Sequence, residues 1–174
     1  MRRGLVVTGV GLAAALAAGV GAHWFEGVPL VRACEVLTGD FAAGVLGPSV
    51  LSNDDMGRRS TECQYMSTPA GGSVNLQAER FKKTKKESGT ERARRNALRH
   101  HGKPYPGLGR EAYLAIFRLP APPGTDPELR TGMGQLVIIV DDVVVRAGVG
   151  GRSVKDIRAA SDHLARAYLD RLDG

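Results

Sequence analysis

The sequence predicts an α+β fold, with a mainly antiparallel sheet of about five strands packed by a long C-terminal helix. Three observations predict it. Val74, Leu76 and Ala78 alternate with Ser73, Asn75, Gln77 and Glu79, the period-two pattern of a strand with one dry and one wet face. Residues 135–140 and 143–147 are two β-prone runs joined only by Asp141-Asp142, which reads as a hairpin at the centre of the sheet. Behind Ser153 and Asp156, which approximate a capping box, Ile157, Ala160, Leu164, Ala167, Tyr168 and Leu172 recur at helical spacing.

The first twenty-five residues stand apart. Arg2 and Arg3 precede residues 4–22, a run of nineteen interrupted only by Thr8. As a helix it would cover roughly 28 Å, close to the hydrocarbon thickness of a bilayer. Six Ala and five Gly against three Leu and four Val make it a weak span. Val20-Gly21-Ala22 fits the small-x-small pattern of signal peptidase, with cleavage before His23. Trp24 and Phe25 stand where an interfacial aromatic belt would lie, which suits a retained anchor with its N-terminus inside. Residues 1–25 are therefore a signal peptide or a signal anchor, and residues 26–174 a single extracytoplasmic domain, secreted or held by one membrane pass. Lipidation at Cys34 does not fit, because Arg32 lies two positions before the thiol and the apolar run has already ended.

Along the exported chain, Thr38 can cap a short helix containing Asp40, Phe41, Ala42, Val45 and Leu46, which Gly47-Pro48 ends. Residues 49–60, with Asn53-Asp54-Asp55 and Gly57, read as an exposed loop. Residues 61–67 form a strand with Cys63 and Tyr65 on one face, and pair across the turn at residues 69–72 with the alternating strand. A basic stretch follows, then a surface helix over residues 90–101 with the narrow apolar stripe Ala93, Ala97 and Leu98. Residues 111–119 are a third strand, apolar on both faces, and the proline-rich residues 120–131 a loop. The expected order is helix, two strands, helix, three strands, helix: two hairpins and one further strand.

Two cysteines in an exported chain read most simply as one disulfide, Cys34 to Cys63. Such a loop would stabilise the fold by about 3.5 kcal/mol in the chain-entropy model. Two thiols this far apart with no nearby histidine make a poor zinc site. The formal charge of +6 is concentrated in residues 80–103, where ten Lys or Arg face only Glu87 and Glu91. The candidate anion-binding residues are Lys82, Lys83, Lys85, Lys86, Arg92, Arg94, Arg95 and Arg99. Outside a cell their plausible partners are lipid headgroups, wall polymer or an acidic protein rather than nucleic acid. A solvated helix and loop is the plainer reading of the same run.

Catalytic signatures are absent from the sequence. His100 and His101 are adjacent, His23 lies beside the leader, and His163 borders the stripe of the last helix. The run Gly148-Val149-Gly150-Gly151-Arg152-Ser153 precedes a helix as phosphate loops do, but lacks the Lys-Ser/Thr of a P-loop and reads as a glycine turn with a cap. The pairs Asp54-Asp55 and Asp141-Asp142 fit ordinary turns. No Gly-x-Ser-x-Gly elbow occurs. No metal or cofactor is expected.

At Cys34-Glu35-Val36-Leu37-Thr38 the chain resembles the start of an uncharacterised family of secreted proteins and lipoproteins from actinobacteria. There a Cys-x-x-Leu-Thr stretch leads into a short helix ending in Leu-Gly, here Leu46-Gly47. Cys63-Gln64-Tyr65 is similar to the strand that the second family cysteine opens, and residues 107–113 to its glycine-led third strand. The resemblance covers about residues 30–172. It implies a disulfide-bearing α+β domain at the cell envelope, similar to extracellular sensor domains of receptor kinases, and supplies no catalytic residues. Many members carry a lipid-anchoring cysteine after the signal, which this chain does not match. The expected function is a non-enzymatic envelope protein binding a partner protein or ligand, in a sensor or regulatory accessory role. The alternatives are attachment to anionic wall polymer or lipid through residues 80–103, and an extracellular hydrolase.

Overall fold

The computed structural model describes residues 30–67, 71–99, 102–124, 126–128 and 130–174. The leader lies outside the described residues, as do His23, His100 and His101. Among the described residues no helix is long and apolar enough to cross a membrane.

Among those residues seven strands and four helices form the expected α+β architecture, with two strands more than the sequence predicts. The strands are β1 (Ser49–Met56), β2 (Ser60–Ser67), β3 (Ser73–Arg80), β4 (Lys103–Pro104), β5 (Glu111–Arg118), β6 (Thr131–Val140) and β7 (Val143–Ser153). The helices are α1 (Ala33–Val36), α2 (Gly39–Leu46), α3 (Gly89–Leu98) and α4 (Val154–Asp173). The sheet is antiparallel throughout, in the order β1-β2-β3-β7-β6-β5-β4. It is two meanders joined where β3 meets β7, so the β6–β7 hairpin sits inside the sheet as expected.

The alternation of side chains along β7 divides the two faces. Val143, Val145, Ala147 and Val149 point to the main core, where α4 buries Val154, Ile157, Leu164 and Tyr168 against them. Val144 points to the opposite face, into a smaller cluster with Val137, Ile139 and the α3 residues Ala93 and Ala97. Gly134 makes room for α4, since a Cβ there would run into Ile157 Cγ2. Ser153 caps α4 as expected, its Oγ accepting from the Asp156 N–H at 3.1 Å.

The disulfide Cys34–Cys63 is formed, with Cα atoms 5.0 Å apart. It ties α1 to β2, and the buried hydrogen bond from the Ala33 N–H to Thr61 Oγ1 at 2.8 Å reinforces the same junction. Thr38 caps α2, as expected, accepting from the Phe41 N–H at 3.3 Å. The far end of α2 is closed by Arg152, whose guanidinium donates to the Val45 carbonyl at 2.7 Å and to the Leu46 carbonyl.

Three sequence expectations are corrected. Residues 49–56, expected as loop, are the edge strand β1. Its Asn-Asp-Asp run tolerates strand geometry because every residue but Ser52 pairs with β2, the register shifting between Leu51 and Asn53. The short strand β4 was hidden behind Pro104. The run 148–153, expected as a glycine turn, is the second half of β7. Gly148 belongs in a strand there because a Cβ would run into Asn75 Oδ1 on β3.

Candidate functional site

A cleft of about 430 Å³ opens at the β5 edge of the sheet. Its origin is the shortness of β4. The last rung is the Tyr105 N–H donating to the Ala112 carbonyl at 2.9 Å, and Lys103 pairs with Leu114. Gly102 lies over β5 instead of beside it, since a Cβ there would stand 2.9 Å from that of Tyr113. Among the described residues, nothing pairs with the outer edge of β5 past Leu114.

Tyr105, Leu114 and Ile116 supply the apolar floor of the cleft, and Lys103, Arg118 and Arg158 surround it with positive charge. Arg158 is met by Glu128 at 3.3 Å. Lys103 and Arg118 make no ion pair among the described residues. The Tyr105 hydroxyl donates to Asp162 Oδ1 at 3.2 Å, and Arg166 holds that carboxylate from the next turn of α4 at 2.8 Å. Burial, helped by Asp162, raises the Tyr105 pKa and keeps the hydroxyl a neutral donor. Phe117, 64% exposed, also lines the cleft. Among the described lining residues there is no carboxylate or histidine, and the one hydroxyl is the Tyr105 phenol.

The basic segment divides into two unlike parts. Three arginines of α3 are engaged, Arg94 with β5 and Arg92 and Arg95 with the loop that precedes the helix. Arg94 donates from Nη2 and Nε to Glu111 Oε2 at 2.6 and 2.9 Å and from Nε to Oε1 at 3.2 Å, and Arg95 meets Glu87 at 2.7 Å. Arg92 donates to the Lys82 carbonyl at 2.6 Å and lies 6.0 Å from the Phe81 ring centre. Hydrogen bonds from Arg94 and Tyr113 lower the Glu111 pKa, so the carboxylate stays charged well into acid. Ser88 and Glu91 form a full capping box at the start of α3, which begins one residue earlier and ends three residues earlier than the sequence suggests. Lys82, Lys83, Lys85 and Lys86, by contrast, are exposed in the preceding loop with no ion pair among the described residues, as is Arg99 at the end of α3.

The remaining sequence candidates are not brought together. His163 is exposed and stacks on Phe41, ring centres 5.2 Å apart. Asp54 pairs with Arg32 at 2.7 Å. Asp142 faces Arg80 at 3.7 Å, yet burial outweighs that charge and raises its pKa. No group of three His, Cys, Asp or Glu able to hold a metal occurs among the described residues. The helix start behind the glycine run is not an anion site either. The Val154 and Lys155 N–H groups donate to the Arg130 and Glu128 carbonyls, each at 3.1 Å, and the Asp156 N–H goes to its cap.

Sequence reasoning missed Arg146, which is only 6% exposed in the middle of the sheet. Its guanidinium donates to Gln77 Oε1 at 3.1 Å, to Glu79 at 3.5 Å and to Asn96 of α3. Burial lowers its pKa, with Glu79 opposing. The signal was a single charge inside an otherwise apolar run, Val143-Val144-Val145-Arg146-Ala147. The cleft gave no comparable signal, because Lys103, Arg118 and Arg158 are far apart in the chain.

No family model matches the chain, and comparisons with curated proteins and with solved structures give no match.

Proposed function

We propose that this protein is a non-enzymatic extracytoplasmic envelope domain that binds an anionic partner in the cleft beside β5. The observation that carries the reading is a concave site in which an apolar floor meets Lys103 and Arg118, two cations without an ion pair among the described residues. Uncompensated charge beside apolar surface favours an acidic ligand through both contact area and steering. The export reading of residues 1–25 and the resemblance at Cys34-Glu35-Val36-Leu37-Thr38 support an envelope setting and a sensor or accessory role. A photoactivatable residue at Phe117, crosslinked in the native cell and read by mass spectrometry, should give a discrete adduct that disappears with Lys103→Glu/Arg118→Glu. An adduct of unchanged yield in that variant contradicts the proposal.

A second reading, attachment to anionic lipid or wall polymer, is favoured by the four exposed lysines of residues 82–86. It predicts salt-sensitive co-sedimentation of the full chain with anionic vesicles, lost when all four are reversed to Glu.

A further inference from the structure

We infer that the partner enters this cleft as an extended acidic segment that adds a strand to the free edge of β5, an inference that rests on the proposed binding role of the cleft. The backbone pattern comes first. In an antiparallel ladder successive residues turn their N–H and C=O groups alternately to one neighbour and to the other. The Ala112 carbonyl accepts from Tyr105 on the outer side, whereas the Leu119 N–H donates to the Thr131 carbonyl on the β6 side. Odd-numbered residues of this stretch therefore serve β6, and even-numbered ones face outwards. Leu114 is met by Lys103. Ile116 and Arg118 present their backbone groups to the cleft, where no described strand receives them.

Such an edge is a template for strand addition, with backbone pairing giving affinity and alternate side chains giving selectivity. A strand laid there would turn every second side chain toward the floor of Tyr105, Leu114 and Ile116. Charge selects the occupant. Lys103 lies at one end of the free edge and Arg118 at the other, so acidic side chains near both ends of a short segment would each find a cation. The opposite edge of the sheet, β1, is unlike this one: it carries Asp54 and Asp55, and Arg32 beside it is already paired with Asp54 at 2.7 Å. Strand addition by an acidic segment is therefore selective for β5.

The test uses the full chain and three labelled hexapeptides, followed by fluorescence anisotropy. One carries Glu at positions 1 and 5 and Val at position 3, all on the face toward the floor, with Thr between them, one replaces each acid with Lys, and one is the acidic peptide with every second backbone nitrogen methylated on the pairing edge. The acidic peptide should bind and slow hydrogen exchange at the Ile116 and Arg118 amides by about tenfold or more. Methylation should weaken it by about tenfold or more, since each lost backbone pair costs a factor of that order. Ile116→Pro, which removes an outward N–H from an edge strand, should act like methylation while the thermal midpoint and disulfide stay intact. If that variant does not fold, the methylated peptide decides alone. Equal binding of the methylated peptide, with exchange at Ile116 and Arg118 unchanged, overturns strand addition and leaves the anionic cleft standing. Equal binding of the Lys peptide, or no binding of the acidic one, overturns the selectivity for acidic chains as well.

Discussion

The two faces of one sheet are held by different means. On one face α4, twenty residues long, lies along the central strands with Ile157, Leu164 and Tyr168 fully buried, and the disulfide pins α1 beside it. On the other, α3 is half that length and contributes two alanines, while a buried arginine, an asparagine and a glutamine occupy the space between helix and sheet. Apolar burial contributes roughly in proportion to area, and polar pairs in a partly wet face contribute little net. Stability should therefore be concentrated on the α4 side, leaving α3 and the basic loop as the part of the molecule that opens first.

The largest test of that contrast is Leu164→Ala, which should cost about 2–5 kcal/mol by denaturant unfolding. Ala97→Gly on the opposite face should cost only about 1 kcal/mol, mostly through helix propensity. Equal losses would erase the difference between the faces. Next comes the covalent tie: Cys34→Ser/Cys63→Ser should lose about 3.5 kcal/mol in chemical denaturation. The hydroxyl of Tyr168 offers a pH test of the α4 side. It accepts from the Val31 N–H at 3.2 Å, and burial pushes its pKa up to about 12. A phenol whose pKa rises on folding stabilises the fold below its unfolded value near 10, and that contribution is lost as pH climbs toward about 12. The alkaline limb of the stability profile should flatten in Tyr168→Phe, and an unchanged limb would assign the loss to other groups. The smallest effect belongs to the α3 cap. Ser88→Ala should cost about 1 kcal/mol and speed amide exchange in α3 before any change in α4.

How far the chain could be read in advance follows the same contrast. The alternation through Val74, Leu76 and Ala78 and the stripe through Ile157, Leu164 and Tyr168 were legible because each element buries one continuous face, and burial imposes a period. The Cys34–Cys63 tie was legible because the chain has only two cysteines. The edge strand β1 was not, since Ser49–Met56 buries nothing fully and is held by backbone pairing to β2, which any side chain permits. Nor was the second half of β7, where glycines fill a strand because Asn75 and its neighbours occupy the space above them. The basic segment was visible as charge, but its division was not. Whether an arginine binds an outside anion depends on Glu87 and Glu111 reaching it across the fold. The cleft could not be read at all, because it is made where a strand stops short.

The central claim is that binding belongs to the β5 cleft and not to the lysine loop. Two charge-reversed chains test it most directly: Lys103→Glu/Arg118→Glu, and Lys82→Glu/Lys83→Glu/Lys85→Glu/Lys86→Glu. The yield of the in-cell adduct from Phe117 should fall to background in the first and stay within about twofold of the parent in the second, the residual change reflecting only long-range steering. The reverse pattern, with the adduct lost on reversing the loop and kept on reversing the cleft, contradicts the account.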